Sequence, residues 1–141
     1  MKDIHRALVY TMVLASAADG EMSDAEFSVA GEVIKYFPVF KNFDIDMLGE
    51  VCREAAVLLS DNDGLDQIMQ LVHDWLPDYL YETAYAIAVE IVAADMQADQ
   101  EELRMLQILR HELELDRLVT SAIERGARAR HMPVREDLAA A

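Results

Sequence analysis

The chain has 141 residues, 53% of them hydrophobic, and a formal net charge of -15. Such a length suits one domain and buries roughly two-thirds of the surface it would expose unfolded. The acidity argues against nucleic acid, which proteins grip with Lys and Arg, and for cations, basic proteins or plain solubility; the single Cys52 excludes an internal disulfide and a multi-cysteine zinc site.

Charge is unevenly spread. Residues 125–141 hold 4 Arg against 2 acids, which leaves 25 of the 27 acids and 8 of the 12 Lys and Arg in residues 1–124. The body is acidic and the tail mildly basic.

Apolar spacing predicts a first helix from Asp3 to Ala18, with Ile4, Leu8, Thr11, Ala15 and Ala18 on one side and Val9, Met12, Val13 and Ser16 filling most of the rest. A helix apolar around its circumference belongs in the middle of a bundle. The run is similar to a signal peptide, but it passes straight into Asp19, and its echo at Thr83 to Ala94 is internal. Both runs are shorter than the ~20 apolar residues that cross a bilayer. The expectation is a soluble, cytoplasmic protein without a transmembrane segment.

Gly20 suits the end of that helix, and Ser23 with Glu26 has capping-box spacing for a second, whose stripe is Phe27, Ala30, Ile34 and Phe37 up to Pro38. A third helix is expected from Asp44 to Leu59, with Ile45, Leu48, Cys52, Ala55 and Leu59 inward. The cluster Ser60 to Gly64 breaks it, and Asp61 or Asp63 caps a short fourth with Leu65, Ile68, Met69 and Val72. Asp78 is expected to cap a fifth helix, Tyr79 to Ala94, which matches the first in length and apolar character. Asp99 and Glu102 repeat the capping box before a sixth with Leu103, Leu106, Leu109 or Arg110, and Leu113. Asp116 caps a seventh with Leu118, Val119, Ala122 and Ile123, ending at Gly126. Strand signals are absent. The reading is all-α: one compact bundle of about seven helices over residues 1–126, then a basic tail, 127–141, as a frayed or loosely docked helix.

The chain also repeats itself. Ala17-Ala18-Asp19-Gly20-Glu21-Met22-Ser23-Asp24-Ala25-Glu26-Phe27 returns, 76 residues later, as Ala93-Ala94-Asp95-Met96-Gln97-Ala98-Asp99-Gln100-Glu101-Glu102-Leu103. Two similar helix-corner-helix units indicate a duplication and a pseudo-twofold bundle. Asp19 and Asp95 follow helix ends, where unpaired carbonyls already carry partial negative charge. Clustered carboxylates and carbonyls are hard oxygen ligands, so the corners form a candidate site for a divalent cation: Ca²⁺, Mg²⁺, Mn²⁺ or Zn²⁺. The alternative is helix punctuation, with the same acids serving as caps.

The run Ala-Ala-Asp19-Gly20-x-x-Ser23-x-x-Glu26, followed by Ala-Ala-Asp95-x-x-x-Asp99-x-x-Glu102-x-x-x-Leu106, resembles the TerB-like tellurite-resistance family of small helical bacterial proteins. The resemblance covers roughly residues 4 to 124. It implies a pseudo-symmetric helical domain with the acids of both corners on one surface, suggested to bind divalent metal. It also implies work with partner proteins at the inner face of the bacterial membrane, in stress response or resistance to toxic oxyanions. The positions carried over are Asp19, Glu26, Asp95 and Glu102, with Glu21 and Asp99 as further candidates. Met96 stands where Gly is usual.

The expected function is therefore that of a non-enzymatic acidic module that holds a cation and contacts other proteins, a second copy of the chain among them. A metal-dependent enzyme built on the same carboxylates and a metal-independent scaffold are the alternatives. No other motif competes: His111-Glu112 begins like a zinc-protease helix but has Leu115 where the second His would stand, and Asp61 to Gly64 lacks the first acid of a calcium loop. Two features stay open. Glu90 is the lone charge in the apolar run Thr83 to Ala94, expected at the wet edge of the buried face, and Trp75 with Tyr79 to Tyr81 crowds a helix junction as ordinary packing.

Overall fold

A computed structural model describes residues 3–16, 22–94 and 100–136. These form an all-α bundle of seven helices: α1 (Asp3–Ala15), α2 (Asp24–Tyr36), α3 (Leu48–Leu59), α4 (Gly64–Trp75), α5 (Tyr81–Ala94), α6 (Gln100–Glu112) and α7 (Arg117–Arg130). There is no strand among the described residues, and no described helix is long and apolar enough to cross a membrane.

Helices α1 and α5 lie against each other at the centre, as the predominantly apolar runs that begin at Ala7 and Thr83 require. Every residue from Ala7 to Ser16 is buried, and from Ala84 to Val92 only Ala86 is partly open. The hydroxyls buried in α1 turn back on their own helix: Thr11 donates to the Ala7 carbonyl and Ser16 to the Met12 carbonyl, both at 2.9 Å. This removes the cost of an unpaired polar group. Around this pair, α3 and α4 cover α1, while α2, α6 and α7 cover α5; α6 also reaches α1 and α4.

Two outer helices present a different face from the expected one. In α2 the buried residues are Glu26, Ala30, Val33 and Ile34, and Phe27 is exposed. The capping box fixes Glu26 on the inner side, so its neighbour Phe27 turns outward. In α7 Leu118 and Ala122 face solvent, Val119 and Ile123 are half-buried, and Thr120 and Ala127 are buried. Gly126 does not stop α7, which runs to Arg130 because Ala127 packs into the core.

Short 3₁₀ turns account for the shifted starts. Asp44 caps a turn at Ile45–Met47, accepting from the Asp46 amide at 3.0 Å, so α3 begins at Leu48 and Ile45 is exposed. Asp78 opens a turn at Asp78–Leu80 and does not cap α5, which begins at Tyr81. Asp63 precedes α4 but accepts from the Gln67 side chain at 2.8 Å and from no helix amide. Asp116 caps α7 as expected, accepting from the Leu118 amide at 2.7 Å.

Gly64 leaves no room for a side chain, because a Cβ there would lie 2.1 Å from the Leu58 carbonyl oxygen. Backbone cannot yield as a flexible side chain does. Gly64→Ala is therefore expected to cost about 1–3 kcal/mol, read as a lower thermal midpoint. Gly31→Ala, inside α2 with nothing within 4 Å of the added carbon, is expected to gain about 0.5–1 kcal/mol in the same measurement.

Candidate functional site

The first corner is held at its exit by a complete capping box. The Ser23 hydroxyl accepts from the Glu26 amide at 3.1 Å, and the Glu26 Oε1 accepts from the Ser23 amide at 2.9 Å. Only 5% of Glu26 is exposed. An ionised carboxylate has about four acceptor positions on two oxygens, so a box that engages Oε1 does not exhaust it. The residue 76 positions on, Glu102, is 6% exposed and occupies the first turn of α6. Both acids therefore enter the bundle, a position that carboxylates take only when charge or hydrogen bonds compensate.

The other four candidate ligands, Asp19, Glu21, Asp95 and Asp99, lie outside the described residues. So does the Asp99 half of the second expected capping box. Among the described residues no group of three or more His, Cys, Asp or Glu is placed to share a metal ion. The corners thus contribute two described carboxylates, Glu26 and Glu102, one from each half of the chain.

Glu90 is not at a wet edge. It is 8% exposed, and its carboxylate receives two side chains from the end of α7: Arg130 donates from Nε at 3.0 Å and also from Nη2, and His131 Nε2 lies 2.6 Å from Oε2. The basic tail and the isolated acid, far apart in sequence, are one feature. Leu14, 76 positions before Glu90 in the sequence, is also buried, in α1.

A second pattern ties the outer helices to the central pair. Tyr10 of α1 donates to Glu54 of α3 at 3.0 Å, and Tyr85 of α5 donates to Glu124 of α7 at 3.0 Å. Arg6 Nε donates to the same Glu54 oxygen at 2.9 Å. Burial, reinforced by the hydrogen bond to Glu54, pushes the Tyr10 hydroxyl up to about 12, and burial beside Glu124 raises Tyr85 as well. The Arg6 hydrogen bond holds the Glu54 carboxyl below its ordinary value against the opposing effect of burial. Cys52 is half-buried beside Met22, Sγ to Sδ 3.9 Å, and burial raises its thiol to about 11, which makes it a poor nucleophile at neutral pH.

At the aromatic junction Trp75 packs on Tyr10 and the Tyr81 hydroxyl donates to the His73 carbonyl, but Tyr79 is 78% exposed. Tyr79 stands at a cleft that sequence reasoning missed, formed also by Ile4, His5 and residues 37–42. Its parts are more than thirty residues apart and share no local pattern. Set against protein-family models, curated proteins and solved structures, the chain matches none.

Two outcomes are expected from the acids. A carboxyl held low in the folded state contributes stability that is present above its unfolded pKa, roughly 4, and is lost as pH falls through the lower folded value. Thermal unfolding of Glu54→Gln should therefore show a deficit at pH 7 that shrinks as the pH drops below about 4. At Glu90, removing both donors (Arg130→Ala with His131→Ala) should cost about 1.5–3 kcal/mol in chemical denaturation, since the buried acid keeps no tail partner. Glu90→Leu should be near neutral, because a hydrophobic isostere removes the desolvation cost together with the pair.

Proposed function

We propose that the protein is a non-enzymatic helical module that holds a divalent cation at its two acidic corners and contacts partner proteins through the surface around them. The observation that carries the reading is the burial of Glu26 and Glu102, at matched positions directly after the two corners. The capping box engages one oxygen of Glu26 and leaves further acceptor positions on its carboxylate. Turning the side chain inward at both copies gives each corner a carboxylate of lowered hydration, the hard oxygen donor that Ca²⁺, Mg²⁺ or Mn²⁺ takes.

Asp19 and Asp95, with Glu21 and Asp99, would complete the donor set from the adjoining segments. A bound divalent ion would offset the carbonyl charge at the preceding helix ends and fix both segments in one arrangement. This reading agrees with the resemblance to TerB-like tellurite-resistance proteins, and with it go a bacterial stress response and association with a complex at the inner membrane face. The partner surface is expected to be basic, since residues 1–124 hold 25 acids against 8 Lys and Arg.

Thermal unfolding in EDTA, then in Ca²⁺, Mg²⁺, Mn²⁺ or Zn²⁺ at matched ionic strength, tests it against the variant Asp19→Asn with Asp95→Asn. A ligand at 100 times its dissociation constant adds about 2.7 kcal/mol, worth several degrees in the midpoint. The expected result is an ion-selective rise in the wild type that the double variant loses. Equal shifts in both proteins would mean generic screening of a -15 chain and would overturn the cation site.

A further inference from the structure

The cleft beside Tyr79 has a volume of about 700 Å³ and lies between the start of α1 (Ile4, His5), residues 37–42, and the entry to α5 (Tyr79, Leu80, Thr83, Ala86). Its outer wall is built by backbone chemistry. Pro38 cannot continue α2, and the chain leaves it extended at Phe37, forms a 3₁₀ turn at Pro38–Phe40 and reverses through Asn42 in the left-handed region, φ 71°. Asn tolerates that conformation better than most residues.

Buried His5 holds the wall in place. Its Nε2 lies 3.0 Å from the Val39 carbonyl, Phe40 stacks on its ring at 5.7 Å and Phe43 meets it edge-on at 5.4 Å. The cleft is therefore formed before any ligand arrives, and its size falls in the range of small-molecule sites.

Charge decides what it takes. In a chain with 27 acids, the lining contains no Asp or Glu, and its one fixed charge is Lys41. Four further clefts each carry at least one carboxylate: Glu124 in two, Glu101 in a third, Glu50 and Glu54 in a fourth. The acids nearest in sequence, Asp3, Asp78 and Glu82, are exposed and outside the lining. Apolar walls from Ile4, Phe37, Pro38, Val39, Leu80 and Ala86 suit an alkyl or aryl body. The side chains of Lys41, Asn42, Tyr79 and Thr83 supply a cation and donors that make no hydrogen bond or ion pair with another described residue.

We propose that this cleft binds a small amphiphilic monocarboxylate, its apolar body against the α5 entry and its anionic head at Lys41. A polyphosphate or nucleotide would meet one cation amid a strongly negative molecule, and a cationic amphiphile would find no counter-charge. The site is independent of the corner acids and concerns a different class of ligand.

Titration of the full chain with decanoate below its micelle concentration, followed by backbone amide NMR in EDTA, tests the proposal; EDTA keeps any divalent ion at the corners out of the result. Decanoate is expected to bind with amide shifts confined to residues 4–5, 37–42 and 79–86. Decanol and decyltrimethylammonium are expected to bind at least about tenfold more weakly. Lys41→Glu, a change at an exposed side chain, should weaken decanoate by about tenfold or more while leaving the far-UV spectrum unchanged. Thr83→Phe, which fills the cleft, should abolish the shifts. Equal binding of decanol or the cation, shifts elsewhere, or unchanged affinity in Lys41→Glu would overturn it. Tighter binding of a short peptide ending in a leucine carboxylate would also overturn it, by making the ligand a chain terminus.

Discussion

Two helices without usable polar faces, α1 and α5, set the problem that the rest of this chain solves. Neither can meet water on any side over most of its length, so together they demand a complete sheath, and five further helices supply one. The hydrophobic effect is non-directional and would accept many sheaths. What selects among them are the few directional contacts that cross from the pair to its cover: Tyr10 to Glu54, Tyr85 to Glu124, and Glu90 to Arg130 and His131. Each places an acid at the seam between the central pair and an outer helix. A mismatched register of α3 or α7 would strand a buried hydroxyl or carboxylate.

The acids of the chain accordingly occupy three settings. Most are exposed to solvent. Glu54 and Glu124 serve the seams just described. Glu26, Glu102 and Glu90 lie within the body, and their environments differ: Glu26 faces a backbone amide, Glu90 faces Arg130 and His131 from the tail, and Glu102 occupies the first turn of α6. Burial of an acid is thus no uniform sign of function; at Glu90 it is answered inside the chain, and at the corner pair it supports the cation reading.

The all-α class, the count of seven helices and the centrality of α1 and α5 were legible because they rest on periodicity over a dozen residues or more, where the summed apolar signal outweighs any one side chain. The Ser23 to Glu26 box and the Asp116 cap were legible because their chemistry is local. The faces of α2 and α7 were not. A stripe is read from hydrophobicity alone, and in α2 an acid outcompeted Phe27 for the inner side because a cap had fixed its position. Helix starts at Leu48 and Tyr81 were shifted because Asp44 and Asp78 favour 3₁₀ turns and α-helix entries alike. Glu90 was conspicuous as a lone charge and the tail as a basic segment, but a pairing across 40 residues has no local signature. The cleft around His5 and Lys41 left none either, being assembled from three separated segments; the density of aromatic and Pro residues between Tyr36 and Phe43 was the only trace available.

The clamp on Glu90 bears on how the molecule opens. A helix ordinarily frays from its ends, one residue at a time, because its last carbonyls have no partners within it. In α7 the final turn is where Arg130 and His131 grip a carboxylate in the second half of α5, and Ala127 beside them is packed tight. Releasing that end breaks the hydrogen bonds to Glu90 and uncovers the apolar surface on which Ala127 packs, so partial release is penalised at its first step. A helix fastened at its last turn is expected to leave as one unit together with its seam to Tyr85, so that amide protons along its length exchange through one shared event.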